Sequence, residues 1–172
     1  MKRTWVLILI GLFISTSGYA ATAKAVIKGT QELSSVSGQA TLKDLPEGLE
    51  VKIEVSGVTP GMHGIHIHEK GSCDEAGNAA GGHYNPEGVK HGYILKDGLS
   101  GSHVGDMGNI EVGADGKGSL TMVIPGLTVN NGKYNALGRS VILHEKQDDF
   151  GQPTGNAGSR VGCGVIEEVP AS

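Results

Sequence analysis

Three imidazoles fall within six residues of strand-like sequence, in the run Gly61-Met62-His63-Gly64-Ile65-His66-Ile67-His68-Glu69. Side chains alternate between the faces of a strand, so His63, Ile65 and Ile67 share an apolar face. His66 and His68 then stand together on the other face, about 7 Å apart along the chain. Two imidazoles side by side on a face turned away from a core can act as metal ligands; the blander alternative is a strand with surface histidines. His63, on the apolar face, is expected to be buried and hydrogen-bonded rather than ligating.

A second group lies downstream. His83, His91, His103 and Asp106, spaced His-x7-His-x11-His-x2-Asp, make a closed set of three nitrogens and one oxygen. That is the ligand number and type of a tetrahedral zinc site. The spacing is too open for a zinc finger, and any glycine-rich loop can carry histidines. With His66, His68 and His144, however, the set accounts for six of the seven histidines in the chain.

The elements that must hold these residues are strands. Leu49, Val51, Ile53 and Val55 alternate with Glu50, Lys52, Glu54 and Ser56, the pattern of a half-buried antiparallel strand. Lys24 to Lys28 and Gly38 to Leu45 read as weaker strands, and Thr59-Pro60-Gly61 turns the chain into the histidine strand. Ile110 and Val112, a turn at 114–118, and a return through Leu120, Met122 and Ile124 read as a hairpin. Val141 to Glu145 and Arg160 to Ile166 complete the set. With 29 glycines and 4% aromatic residues, the chain reads as all-β: about eight antiparallel strands in a Greek-key β-sandwich or flattened barrel. Two long polar loops interrupt it, at 70–102 and 146–159. The first, 33 residues without periodicity, contains Cys73, His83 and His91, and cross-links through them would offset its ordering entropy.

The first twenty residues have a different character. Lys2 and Arg3, the apolar run from Trp5 to Ile14 and the small residues before Ala20 are those of a signal peptide, with cleavage after Ala20 or as late as Ala23. The apolar run is too short for a membrane span. One domain, 21–172, is expected to remain, periplasmic or secreted and free of the membrane. Lys2 and Arg3 are two of the 14 basic residues, so the mature chain has 12 against 18 acidic ones, a net charge of −6. Such a balance argues against nucleic acid or an anionic membrane as a partner. The only two cysteines, Cys73 and Cys163, are expected to form a disulfide in an oxidising compartment.

Gly64-Ile65-His66-Ile67-His68-Glu69, Gly81-Gly82-His83-Tyr84-Asn85-Pro86, the run His103-Val-Gly-Asp-Met-Gly-Asn109 and the run Gly155-Asn-Ala-Gly-Ser-Arg-Val-Gly-Cys-Gly-Val-Ile166 together resemble copper-zinc superoxide dismutase over almost the whole mature chain. The resemblance implies an exported enzyme that converts superoxide to O2 and hydrogen peroxide, with one copper and one zinc per chain. It implies copper on His66, His68, His83 and His144, and zinc on His83, His91, His103 and Asp106, with His83 shared. All-imidazole ligation suits a copper that changes valence, and the carboxylate-containing set suits zinc. Arg160 would hold the anion beside copper, and Asp148 would join a ligand of one metal to a ligand of the other.

Several features depart from the family's eukaryotic pattern. Cys73 lies four residues after Glu69 and ten before His83, a placement that resembles the bacterial secreted branch. The 146–159 loop is similar to the eukaryotic electrostatic loop but shorter, without the lysine and paired acids of its middle. Glu167-Glu168 replaces the small or apolar residues of the eukaryotic subunit contact, which implies a monomer or a dimer of another kind. Two other readings compete: a copper-storage module on the same fold, and a zinc-stabilised domain without turnover. Storage has no need of Arg160, and a structural zinc domain has no need of His66, His68 and His144.

Overall fold

Alternation along the chain becomes a closed barrel in the computed structural model, which describes residues 20–170; the signal-peptide expectation for 1–19 lies outside them. In order the strands are β1 (Thr22–Gly29), β2 (Ser37–Leu45), β3 (Gly48–Ser56), β4 (Gly61–His68), β5 (Asp106–Val112), β6 (Gly118–Ile124), β7 (Leu127–Thr128), β8 (Tyr134–Asn135), β9 (Ser140–His144), β10 (Arg160–Val165) and β11 (Glu167–Glu168). Eight of them pair antiparallel in the order β10-β9-β4-β5-β6-β3-β2-β1, and β1 closes onto β10 through Lys28 opposite Cys163. Closure removes the open edges that would otherwise invite pairing with other chains. β7 and β8 form a short parallel pair outside this ring. One helical turn, α1 (Ile94–Asp97), lies within the long loop.

Inward positions of each strand fill the barrel. Ile27, Leu42, Leu49, Ile53, Ile65, Ile67, Ile110, Ile124 and Leu143 are all essentially inaccessible to solvent. Burying a side chain of this size stabilises the fold by about 1.5–3 kcal/mol. Gly164 is required where β1 and β10 meet, since a Cβ there would stand 2.7 Å from the Val26 carbonyl oxygen.

The long loop follows the end of β4 rather than leaving it. Tyr84 N–H donates to Ile67 C=O at 2.8 Å, Glu69 N–H to Gly82 C=O at 3.0 Å, and His83 forms a bridge opposite His68. The short loop between β9 and β10 is laid onto the same strand, with Gly64 N–H donating to Lys146 C=O at 2.8 Å. Gly64 makes this approach feasible, because a Cβ there would lie 2.9 Å from that of Ala157. Both loops therefore cover the outer face of β4. Cys73 is disulfide-bonded to Cys163, Cα to Cα 5.7 Å, tying the start of the long loop to β10.

Candidate metal centre

His66 and His68 project from the outer face of β4, with ring centroids 6.3 Å apart. They are nevertheless 0% and 1% exposed, because the loops roof that face. His144, at the end of β9, and His83, on the long loop, join them: one ligand atom of each of the four lies within 4.8 Å of the others. His83 also belongs to a second such group with His91, His103 and Asp106. Its Nδ1 lies 2.8 Å from Asp106 Oδ1 and 3.5 Å from His103 Nδ1, which leaves Nε2 as the nitrogen available to the first group.

Hydrogen bonds to the remaining ring nitrogens fix which atom of each imidazole carries a free lone pair. His68 Nδ1–H donates to Gly81 C=O at 2.9 Å, His144 Nδ1–H to Gly158 C=O at 3.3 Å, and His66 Nε2–H to Asp148 Oδ2 at 2.8 Å. Their other nitrogens, His68 Nε2, His144 Nε2 and His66 Nδ1, are buried without any hydrogen-bond partner. His91 Nδ1 is likewise unpartnered; it lies 2.9 Å from Asp106 Oδ2 but without the alignment of a hydrogen bond. Buried polar atoms without partners are costly and rare. Four of them directed into two small clusters are the donor sets that copper and zinc require, so the residues present fit both metals.

Burial governs the titration of the first cluster. It lowers His66 to about 3, His68 to about 2 and His144 to about 4, assisted in each case by the neighbouring imidazoles and, for His68 and His144, by the Arg160 charge. His83 is lowered for the same first reason, burial. In the second cluster burial is outweighed: the Asp106 and Asp148 carboxylates against its ring raise His91 to about 9. The imidazoles of His103, His83 and His91 around it similarly overcome burial at Asp106 and hold its carboxyl well below the usual carboxylate range.

Asp148 is fully buried between the clusters, its Oδ2 on His66 and its carboxylate 3.0 Å from His91 Nε2. Burial alone would raise its pKa, but the bonds to His66 and His91 keep it low. Arg160 pairs across the sheet with His144. Its Nη1 and Nη2 donate to Gly77 C=O and Gly81 C=O, each at 2.6 Å. Gly81 C=O thus receives both Arg160 and His68. His63 stays apart from the clusters as expected: it is 3% exposed, with Nδ1 2.9 Å from His144 C=O and Nε2 2.8 Å from Thr59 C=O.

The structure places His66, His68, His83, His91, His103, Asp106, His144 and Asp148 together here, with Arg160 beside His144; the groups that hold them are not among the residues singled out in the sequence. Asn109, on β5, grips the Asp148 main chain twice, accepting from its N–H at 2.7 Å and donating to its C=O at 2.9 Å. The carbonyls of Gly77 and Gly81 leave no signal in side-chain chemistry, whereas Asn109 ends the run from His103 and carries a side chain that the sequence does show.

Residues 36–166 match the family described as copper/zinc superoxide dismutase (SODC). The chain belongs to the copper/zinc superoxide dismutase family. It is 46% identical over 128 residues to a protein of Caenorhabditis elegans named extracellular superoxide dismutase [Cu-Zn], a match spanning 70% of this chain and 56% of that one. It is 38% identical over 165 residues to a superoxide dismutase [Cu-Zn] of Onchocerca volvulus, spanning 89% of this chain and 99% of the other. An extracellular superoxide dismutase [Cu-Zn] of Haemonchus contortus is 43% identical over 119 residues, 65% of this chain and 63% of that one. Copper and zinc are the cofactors of the superoxide dismutase family, and the two histidine clusters could hold them.

Proposed function

We propose that this chain is an exported superoxide dismutase, and the observation that carries the reading is the pair of buried ligand clusters joined through His83. His66, His68, His144 and His83 would hold copper, through the nitrogens left without hydrogen bonds, and His83, His91, His103 and Asp106 would hold zinc. When bound, copper supplies a one-electron couple that takes an electron from one superoxide, releasing O2, and gives it to a second, which leaves as hydrogen peroxide after gaining two protons. Arg160 receives the anion: its charge acts on both His68 and His144, and its fork is held rigid by Gly77 and Gly81. His83 Nε2, when not engaged by copper, would hold one proton and hand it to the second anion, the other proton coming from solvent. Asp148 orients His66 and His91, so the two sites share one support.

The leader is read as a signal peptide removed after Ala20. Asp44 N–H donates to Ala21 C=O at 3.0 Å and Ala23 is buried in β1, so the later cleavage would cost part of that strand. Edman or mass analysis of the mature amino terminus decides between them. Among the described residues no helix is long and apolar enough to cross a membrane. The position of Cys73 and the brevity of the second loop support the bacterial secreted branch and a periplasmic location; cell fractionation tests it. Glu167 and Glu168, exposed on β11, support a monomer or a dimer unlike the eukaryotic one, which sedimentation resolves.

Copper storage and structural zinc remain the competing readings. Elemental analysis of reconstituted protein should give one copper and one zinc per chain, with a Cu(II) electron paramagnetic resonance signal. Zinc at both positions and no such signal would overturn the copper assignment.

A further inference from the structure

Three of the four residues of the N3O cluster are tied to the barrel. Asp106 opens β5, His103 precedes it by three residues with its N–H on Asp106 Oδ2, and His83 bridges to β4. His91 lies on no strand or helix. Its ring faces Asp106 at Nδ1 and the following Gly92 N–H donates to Asp106 Oδ2 at 2.9 Å, but its own hydrogen bonds come from the short loop: Asp148 binds its ring at Nε2, and Phe150 stacks on the ring at 6.4 Å between centroids. The third contact is Gln152, whose Oε1 accepts from His91 N–H at 3.0 Å and whose Nε2 donates to His91 C=O at 2.9 Å. Among the described residues nothing else bonds to the His91 main chain. Pairing with both groups of one residue also fixes the orientation of the amide.

We propose that Gln152 is a positioning residue for the zinc ligand His91, making the short loop a clasp that retains the metal. Asp148 and Phe150 set the ring, but a ring can follow its main chain away from the cluster; the Gln152 carboxamide prevents that by holding N–H and C=O together. Asn109 makes the same two-bond grip on Asp148, so both halves of the Asp148–His91 contact are fixed through their backbones. Gln152 is itself exposed, carries no charge and meets the second cluster only through the His91 main chain, so its direct effect is on His91. Its removal should be felt as easier departure of His91 from the cluster, at the lower end of the roughly 10- to 100-fold losses seen when groups supporting a ligand are removed.

The inference rests on zinc binding at this cluster, which the zinc content of the unaltered protein tests by itself. The variant is Gln152→Met, which keeps length and volume while removing both bonds; Thr154→Ala, at an exposed neighbour, is the control. Zinc transfer from the copper-zinc protein to a chromogenic chelator should be about tenfold faster in Gln152→Met, with copper release and the control unchanged. Cobalt placed in the zinc site should show shifted visible bands in Gln152→Met alone. Zinc release and cobalt bands equal to those of unaltered, zinc-loaded protein would overturn the role of Gln152, as would equal acceleration of zinc and copper release. A protein that takes up no zinc at all would instead refute the zinc reading.

Discussion

Removing the disulfide should cost stability and catalysis together, for a reason visible in the long loop. The Cys73–Cys163 bond closes a sequence separation of 90 residues. The chain-entropy relation for a loop of that size gives about 4.6 kcal/mol at 25 °C, arising in the unfolded chain. In a domain of this size each kcal/mol moves the unfolding midpoint by roughly 2–4 °C, so Cys73→Ala/Cys163→Ala should melt about 9–18 °C lower. Alanine is preferable to serine, since Cys163 is buried and a hydroxyl there would need a partner. The second effect follows from Arg160. Cys73 C=O accepts from Gly77 N–H at 3.1 Å, and Gly77 and Gly81 hold the guanidinium, so freeing Cys73 loosens its anchor. The assay pairs circular-dichroism melting of metal-stripped proteins, which removes stabilisation by bound metal, with superoxide rates of the metal-loaded ones. A midpoint lowered by less than about 3 °C would refute the restraint. An unchanged rate in a destabilised variant would refute the link to Arg160.

Arg160→Ala should lower the second-order rate with superoxide by roughly tenfold, about 1.4 kcal/mol, with both metals retained and a shallower salt dependence. Arg160→Lys should lose less, keeping the charge but not the planar fork that Gly77 and Gly81 hold; matched rates and salt slopes for Ala and wild type would contradict this. His63→Ala should destabilise by about 2–4 kcal/mol in urea titrations while the copper content stays near one per chain. Acid should destabilise the metal-stripped protein early. His66, His68 and His144 are depressed to about 3, 2 and 4 from an ordinary 6.5, so below pH 6.5 the unfolded chain binds protons that the folded one refuses. Stability should therefore fall with falling pH by up to about 1.4 kcal/mol per unit per imidazole. His91, raised to about 9, contributes fully throughout this range and adds no slope, and the carboxylates enter only below about pH 4.5. Urea midpoints constant from pH 6.5 to 4.5 would contradict it.

The parts of this structure legible in the sequence are those written in side-chain type and period. Alternation in Leu49 to Val55 marked β3, and the placement of Ile65 and Ile67 opposite His66 and His68 is as the strand period requires. His63 was separable from the ligands on the same ground. What was not legible depends on backbone and on contacts remote in sequence. The burial of His66 and His68 comes from two loops without periodicity, folded over the outer face of β4. The closure of β1 on β10 depends on Gly164 lacking a Cβ, which no hydrophobic pattern records. The acceptors for Arg160 are carbonyls of Gly77 and Gly81, invisible in residue type, and Gln152 reads as an ordinary polar loop residue until its distance from His91 is known.

Turnover of superoxide at the cluster of His66, His68, His83 and His144 is what separates an enzyme from a copper store. Pulse radiolysis with protein far below superoxide in concentration tests it most directly. Protein loaded with copper and zinc should remove many superoxide ions per copper, at a rate proportional to protein and constant from pulse to pulse, while metal-stripped protein leaves the spontaneous decay unchanged. Consumption that stops after about one superoxide per copper, as a storage protein would give, contradicts it.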